Sequence, residues 1–258
     1  MAANDPGQPS LTPGDGPAAM TRERAVPASA LAIGAHPDDV EFGAGGTLAK
    51  WATAGCVVHH LICTDGSKGT WDPAADLSAL VARRRDEQRE AARRLAGERA
   101  GEVRFLDRVD GELDSDRVTC SDVARVIREL RPEVVLGHDP WKRYRLHPDH
   151  RHAGWLVGDA VVAARDPHFF PEHRLAHHRP AALWLFEADA PTHVEDVTAF
   201  VDHKLAALEA HESQFESTMH AADAGELDGF RIKIRDRLSE LGAPHGFAAA
   251  EVFAVIDP

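Results

Sequence analysis

Short apolar runs recur along this chain at wide intervals, and each is too short to be a helix. They occupy residues 30–35 (ALAIGA), 57–63 (VVHHLIC), 134–137 (VVLG) and 182–186 (ALWLF). Apolar runs of this length bounded by turn residues read as strands buried on both faces. Between them lie segments with apolar residues at helical spacing, at 47–54, 80–95, 123–130 and 149–162. Residues 102–106 add a strand, 198–210 and 226–241 two helices, and 251–256 a closing strand. Strands alternating with helices form βαβ units, hence an α/β fold with a mostly parallel sheet and helices on both faces. One domain over residues 29–258 is expected. The GAGG run at 43–46 is expected to be a turn, and the His/Pro-rich stretch at 166–181 a surface flap over the site.

Residues 1–28 are rich in Pro and Gly and lack apolar periodicity, so they read as a disordered tail. A net charge of −13 argues against nucleic acid or an anionic membrane as partner. No run approaches the ~18 apolar residues of a membrane-spanning helix. The three cysteines form no CxxC, which speaks against a disulfide framework. With no basic start and apolar core of a secretory signal, a cytoplasmic location is expected. The 16 histidines make a metal or proton-transfer site worth seeking.

His-Pro-Asp occurs twice, as His36-Pro37-Asp38-Asp39 and His147-Pro148-Asp149-His150. The first follows the first strand directly, and the second lies in the loop after VVLG, just before a helix. In a parallel sheet both loops open at the carboxyl edge, where ligands bind. His36 and Asp39 are three residues apart, so one tight turn can aim both at a single ion, and His150 can supply a third ligand. Two imidazoles and one carboxylate leave a fourth position open for water, as in catalytic zinc sites. Such water has a pKa of ~7, and the neighbouring Asp38 is free to take its proton. His147 would stand nearby as a proton donor, and Asp149 could orient an imidazole. The plainer alternative is two capped helix starts, since Asp before a helix and Pro in its first turn are common. Their shared sheet edge favours a site.

The run from Ala35 to Thr47, AHPDDVEFGAGGT, resembles the signature of the LmbE-like, or PIG-L, zinc-dependent de-N-acetylases, and His147-Pro148-Asp149-His150 resembles its second motif. Weaker likeness appears in Cys63-Thr64-Asp65-Gly66, in Arg84-Arg85-Asp86-Glu87, and in Lys204, Ala207, Leu208 and His211-Glu212-Ser213-Gln214. The resemblance spans about residues 30–215. It implies a Rossmann-like fold that binds no dinucleotide. It further implies one Zn²⁺ per chain held by His36, Asp39 and His150, with Asp38 as general base, His147 as general acid and Asp149 tuning His147. Iron or cobalt also suits such a ligand set. The implied reaction removes an N-acyl group, most often acetyl, from an amino-sugar-containing small molecule. Alternatives are an amidase acting on a larger amide, such as a thiol conjugate or an antibiotic, and a silent ligand-binding protein. A homo-oligomer is also expected, since family members often self-associate.

Substrate contacts are sought in Arg84, Asp65, Tyr144 and Arg145. Several sugar deacetylases of the family carry Tyr two residues before the second motif; here Arg145 holds that place and Tyr144 lies one residue earlier. Either can supply the oxyanion donor. Arg84 reads equally as a surface arginine on a charged helix, and Asp65 as a turn residue. The loop Trp141–Arg145 suits an acidic group or a sugar face, or simply solvent. His211 and Gln214 reach the pocket rim or face solvent, and His59 and His60 read as strand packing. No GxSxG elbow and no P-loop are present, which disfavours serine hydrolase and phosphate-cradling chemistry.

Overall fold

The apolar runs become the centre of a seven-stranded sheet. The computed structural model describes residues 20–22 and 24–258. Its elements are β1 (Ser29–Gly34), α1 (Asp39–Thr53), β2 (Val57–Thr64), α2 (Leu77–Ala96), β3 (Ala100–Arg108), α3 (Arg117–Leu130), β4 (Val134–His138), α4 (Pro148–Arg165), β5 (Ala182–Phe186), β6 (His193–Asp196), α5 (Val201–Leu208), α6 (Ala224–Gly242) and β7 (Ala250–Ile256). The strand order is β3-β2-β1-β4-β5-β7-β6. β1 to β5 pair in parallel, and β7 runs antiparallel to both its neighbours.

Side chains alternate across β1 as the two-residue period requires. Ala30 and Ala32 join the core under α1 and α2, while Leu31 and Ile33 join the core under α3 and α4. Helices thus cover both faces, as the sequence predicts. From β1 the chain goes to β2 on one side, while β4 lies on the other. This reversal opens a crevice between the loops that follow β1 and β4. Among the described residues, no helix is long and apolar enough to cross a membrane, and all three cysteines are free and buried.

Two expectations are corrected. Residues 43–46 are not a turn but the middle of α1. A Cβ at Gly43 would stand 2.4 Å from the Phe186 ring, and one at Gly46 2.9 Å from Val197. Glycine here lets the helix press against the sheet. The polar groups of this stretch are met by side chains: Lys204 Nζ donates to the Phe42 carbonyl at 2.7 Å, and the Glu251 carboxylate accepts the Gly46 and Thr47 N–H groups.

The stretch at 166–181 does not cover the site. It leads into the amino end of β5, with the His178 N–H on the Ala164 carbonyl and the Ala181 N–H on the Glu133 carbonyl. A loop entering a parallel strand lies at the edge opposite the crevice. Buried Arg128 anchors it by donating to the carbonyls of Ala163, Asp166 and Phe169. Strand β6 was also not foreseen, because HVED offers no apolar run; His193 and Glu195 are buried there by bonding each other at 2.9 Å.

Of the expected tail, residues 1–19 and 23 lie outside the described residues. At Thr21 the chain pairs with His193, its N–H on the Thr192 carbonyl at 2.9 Å.

Candidate active site

The two His-Pro-Asp segments meet at the ends of adjacent strands. His36 leaves β1, Asp39 opens α1, and His150 sits in the first turn of α4, where Pro148 presets the helical φ. His36 Nδ1 lies 3.2 Å from His150 Nε2 and 3.4 Å from Asp39 Oδ2, and His150 Nε2 lies 3.1 Å from Asp39 Oδ1. Tetrahedral ligands at zinc-like bond lengths stand about 3.3 Å apart. The two nitrogens and the Asp39 carboxylate, which meets His36 through Oδ2 and His150 through Oδ1, are therefore close enough for the three side chains to share one divalent cation.

The electrostatics agree. Burial opposes charge on His36, yet Asp110, Asp149 and Asp39 hold its pKa well above the ordinary value. Burial likewise works against His150, and Asp39 overcomes it and raises its pKa. Burial favours a neutral Asp39, but His150 and His138 keep its pKa well below the carboxylate range. The cluster draws positive charge, which protons on the imidazoles or a cation at the same atoms can provide.

Asp149 does not hold His147. Its Oδ2 lies 3.2 Å from His36 Nε2, and its two oxygens accept the N–H groups of Gly111 at 2.6 Å and Leu113 at 3.2 Å. Asp149 stands in the first turn of α4 and points into the sheet edge, whereas His147, the preceding N-cap, points outward. His147 is exposed on the cleft, with its ring 4.6 Å from that of His36. Burial, then His36 and His150, hold its pKa below the ordinary value.

Asp38 is 5% exposed. Burial pushes its carboxyl pKa up to about 6, with Arg84 pulling the other way. Arg84 is not a surface residue. It is 3% exposed, with Nη2 on the Pro37 carbonyl at 2.6 Å and 3.4 Å from Asp38 Oδ2, and Nη1 on the Gly66 carbonyl.

Other sequence-derived candidates move. Asp65 does not line the cleft; its Oδ1 accepts the N–H groups of Ser67 and Asp110 and so shapes the loop that carries Asp110. Tyr144 stands on the rim at 93% exposure, with φ 58°. Arg145 lines the cleft but is engaged, donating to His138 Nδ1 at 2.9 Å and to Glu187 at 2.8 Å. The neighbouring cations are also paired, Arg143 with Asp189 and Lys142 with Glu187. His211 is neither at the rim nor in solvent: it is fully buried, with Nε2 3.5 Å from Glu41. Gln214 does line the cleft.

Sequence reasoning missed three contributors. His138, the last residue of β4, has Nε2 3.1 Å from Asp39 Oδ2. Arg145 has only hydrogens to give, so His138 Nδ1 accepts and Nε2–H donates to Asp39. Asp110 Oδ1 lies 3.1 Å from His36 Nε2. Gln88 Oε1 accepts the Asp38 N–H at 3.0 Å. His138 ends β4 and Asp110 follows β3 at the same sheet edge, a signal available in the sequence; Gln88 had none. His138 and Asp110 line one cleft of about 1030 Å³ with His36, Asp38, Asp39, His147 and His150, while Gln88 is fully buried.

The profile of the family described as GlcNAc-PI de-N-acetylase (PIG-L) matches residues 31–161. Over 188 residues the chain is 38% identical to diacetylchitobiose deacetylase of Thermococcus kodakarensis, covering 72% of this chain and 69% of that protein. It is 33% identical over 227 residues to 1D-myo-inositol 2-acetamido-2-deoxy-alpha-D-glucopyranoside deacetylase 2 of Saccharopolyspora erythraea, covering 71% and 82%. Among solved structures, N,N'-diacetylchitobiose deacetylase from Pyrococcus horikoshii superposes with a TM-score of 0.81 at 28% identity, covering 90% of this chain and 84% of that one. On these likenesses, and with both His-Pro-Asp segments brought to one sheet edge, the chain belongs to the PIG-L family.

Proposed function

We propose that this chain is a zinc-dependent hydrolase that removes the N-acetyl group from an amino sugar carried by a small glycoconjugate. One observation carries the reading: His36 Nδ1 and His150 Nε2 stand 3.2 Å apart, each within 3.4 Å of an Asp39 oxygen, beside a buried Asp38 whose carboxyl is pushed up to about 6. The names of the relatives, deacetylases of amino sugars, support the choice of bond and substrate class.

His36, Asp39 and His150 would hold the zinc. When bound, it supplies Lewis-acid polarisation of the amide carbonyl and acidifies water. Asp38 accepts the proton of the attacking water, and a base with a pKa near 6 is suited to do so at neutral pH. Arg84 keeps the Asp38 carboxyl aimed at the cleft. His147 hands a proton to the amine nitrogen as the C–N bond breaks; its depressed pKa makes it a stronger acid once protonated. Acetate and a free amine leave. Asp149 and Asp110 fix the His36 ring, and His138 holds the second oxygen of Asp39.

The test is acetate release from a panel of N-acetylglucosamine conjugates, with zinc-loaded and chelator-treated enzyme compared. Zinc-dependent release that Asp38→Asn abolishes while retaining zinc supports the reading. Bound zinc with no release from any conjugate would overturn it in favour of another acyl group or a non-sugar amine.

A further inference from the structure

The cleft extends well beyond its titratable groups. Its near half lies over the ends of β1 and β4. Its far half passes Phe42 and Gly43 and reaches α6 across Val252, near the start of β7. That strand start belongs to the same edge, because Phe186 at the end of β5 pairs with Phe253.

The far half has a different chemistry. Ile234, Leu238 and Leu241 line it from one face of α6, four and three residues apart, together with Phe42 and Val252. The charge on its floor is neutralised, since Lys204 Nζ lies 2.6 Å from Glu251. Arg237 also lines this half and is exposed. Arg231 and Arg235 on the same helix are paired with acidic groups, but Arg237 forms no ion pair among the described residues. The whole cleft, about 1030 Å³, reaches the top of the ~300–1,000 Å³ range of pockets that enclose drug-sized ligands. An N-acetylated monosaccharide fills only part of it.

We propose that the α6 wall is a subsite for an apolar aglycone that ends in an anionic group and is attached to the amino sugar. The sugar end rests on the deacetylase reading above; the aglycone end rests on α6 alone. The family match ends at residue 161, so α6 lies outside the segment that carries both His-Pro-Asp motifs. Ile234, Leu238 and Leu241 remove the hydrocarbon from water, and Arg237 meets the anion at the cleft mouth.

Calorimetric binding to the full, zinc-loaded chain tests this with three amine-bearing products: methyl, octyl and 7-carboxyheptyl glucosaminide. The octyl compound should bind at least tenfold more tightly than the methyl compound, and the carboxylated one severalfold more tightly again. Leu241→Glu should remove the octyl gain while changing methyl affinity less than twofold. Arg237→Ala should remove only the carboxylate increment. Equal affinity for methyl and octyl compounds would overturn the subsite, as would a Leu241→Glu loss shared equally by both. A carboxylate increment that survives Arg237→Ala would overturn the anion assignment. Octanoate alone separates the two readings: binding that depends on Leu241 supports the subsite even if no conjugate releases acetate.

Discussion

Gln88 Oε1 accepts the backbone N–H of Asp38 at 3.0 Å, and Asp38 stands at φ 104°, ψ −27°. That is left-handed backbone, which an aspartate does not adopt cheaply; such residues cost about 1–3 kcal/mol and persist only where their surroundings hold them. Here α2 does the holding. Gln88 takes the N–H, and Arg84, one helical turn earlier, takes the Pro37 carbonyl. Glu41 in turn fixes the Gln88 amide by accepting from Nε2 at 2.8 Å. The base is thus placed by a residue 50 positions away in the chain.

If the backbone at Asp38 is strained, glycine should suit the position better than alanine. Asp38→Gly and Asp38→Ala both lose the carboxylate and its contact with Arg84, so that loss cancels between them. Asp38→Gly should be the more stable by about 1–2 kcal/mol, as read from urea unfolding. Equal stability of the two variants would show that no strain is stored there.

Gln88→Ala leaves the buried Asp38 N–H and one Glu41 oxygen without their partner. The expected cost is about 1–3 kcal/mol, with turnover at least tenfold lower and zinc content unchanged. Loss of zinc in step with turnover would instead place Gln88 in support of the ligands.

Lys204 and Glu251 form a buried pair, each 2–3% exposed, that also secures the glycine stretch of α1. Lys204→Met strands a carboxylate in the core and should cost about 3–5 kcal/mol. Adding Glu251→Gln should return a measurable share of it. A double variant as unstable as the sum of the two singles would rule out the coupling.

The imidazole of His60 is fully buried. Burial, opposed in part by Glu41, holds its pKa below the ordinary value. Below about pH 6.5 the unfolded chain takes up a proton there that the folded chain resists. The stability His60 contributes is therefore complete above that pH and is lost as pH falls. His36 and His150 have raised pKa values and act in the opposite sense, so the comparison must be between variants that share them. Between pH 7.5 and 5.5, His60→Leu should lose less Tm than the parent chain; parallel curves would remove His60 from the account.

The parts of this site that the sequence announces are those lying within a few residues of a recognisable strand end. His36, Asp38 and Asp39 follow an apolar run, and His147 to His150 precede a helix, so their convergence follows from sheet topology. Gln88 was opaque because its role depends on how α2 packs over α1, and Arg84 stayed open between a substrate contact and a surface residue because a charged helix gives no hint of which cation turns inward. The glycines of α1 misled for a similar reason: Gly43 is required by Phe186, which lies more than a hundred residues later. Asp149 was assigned to its sequence neighbour His147, whereas the fold aims it at His36.

That reassignment has a measurable consequence. Asp149 accepts from the Gly111 and Leu113 N–H groups and so is fixed where it can receive His36 Nε2–H, leaving Nδ1 to face Asp39 and His150. Carboxylates behind a metal-binding imidazole set its tautomer and basicity, and their loss typically weakens metal binding about 10–100-fold. Asp149→Ala should therefore lower zinc affinity by that amount in competition with a chromophoric chelator. Asp110 also lies 3.1 Å from His36 Nε2, and Asp110→Ala provides the comparison. With fewer backbone N–H groups holding it, Asp110 should matter less. If Asp149→Ala kept full zinc affinity yet lost turnover, Asp149 would serve the proton donor His147, as first expected from the sequence.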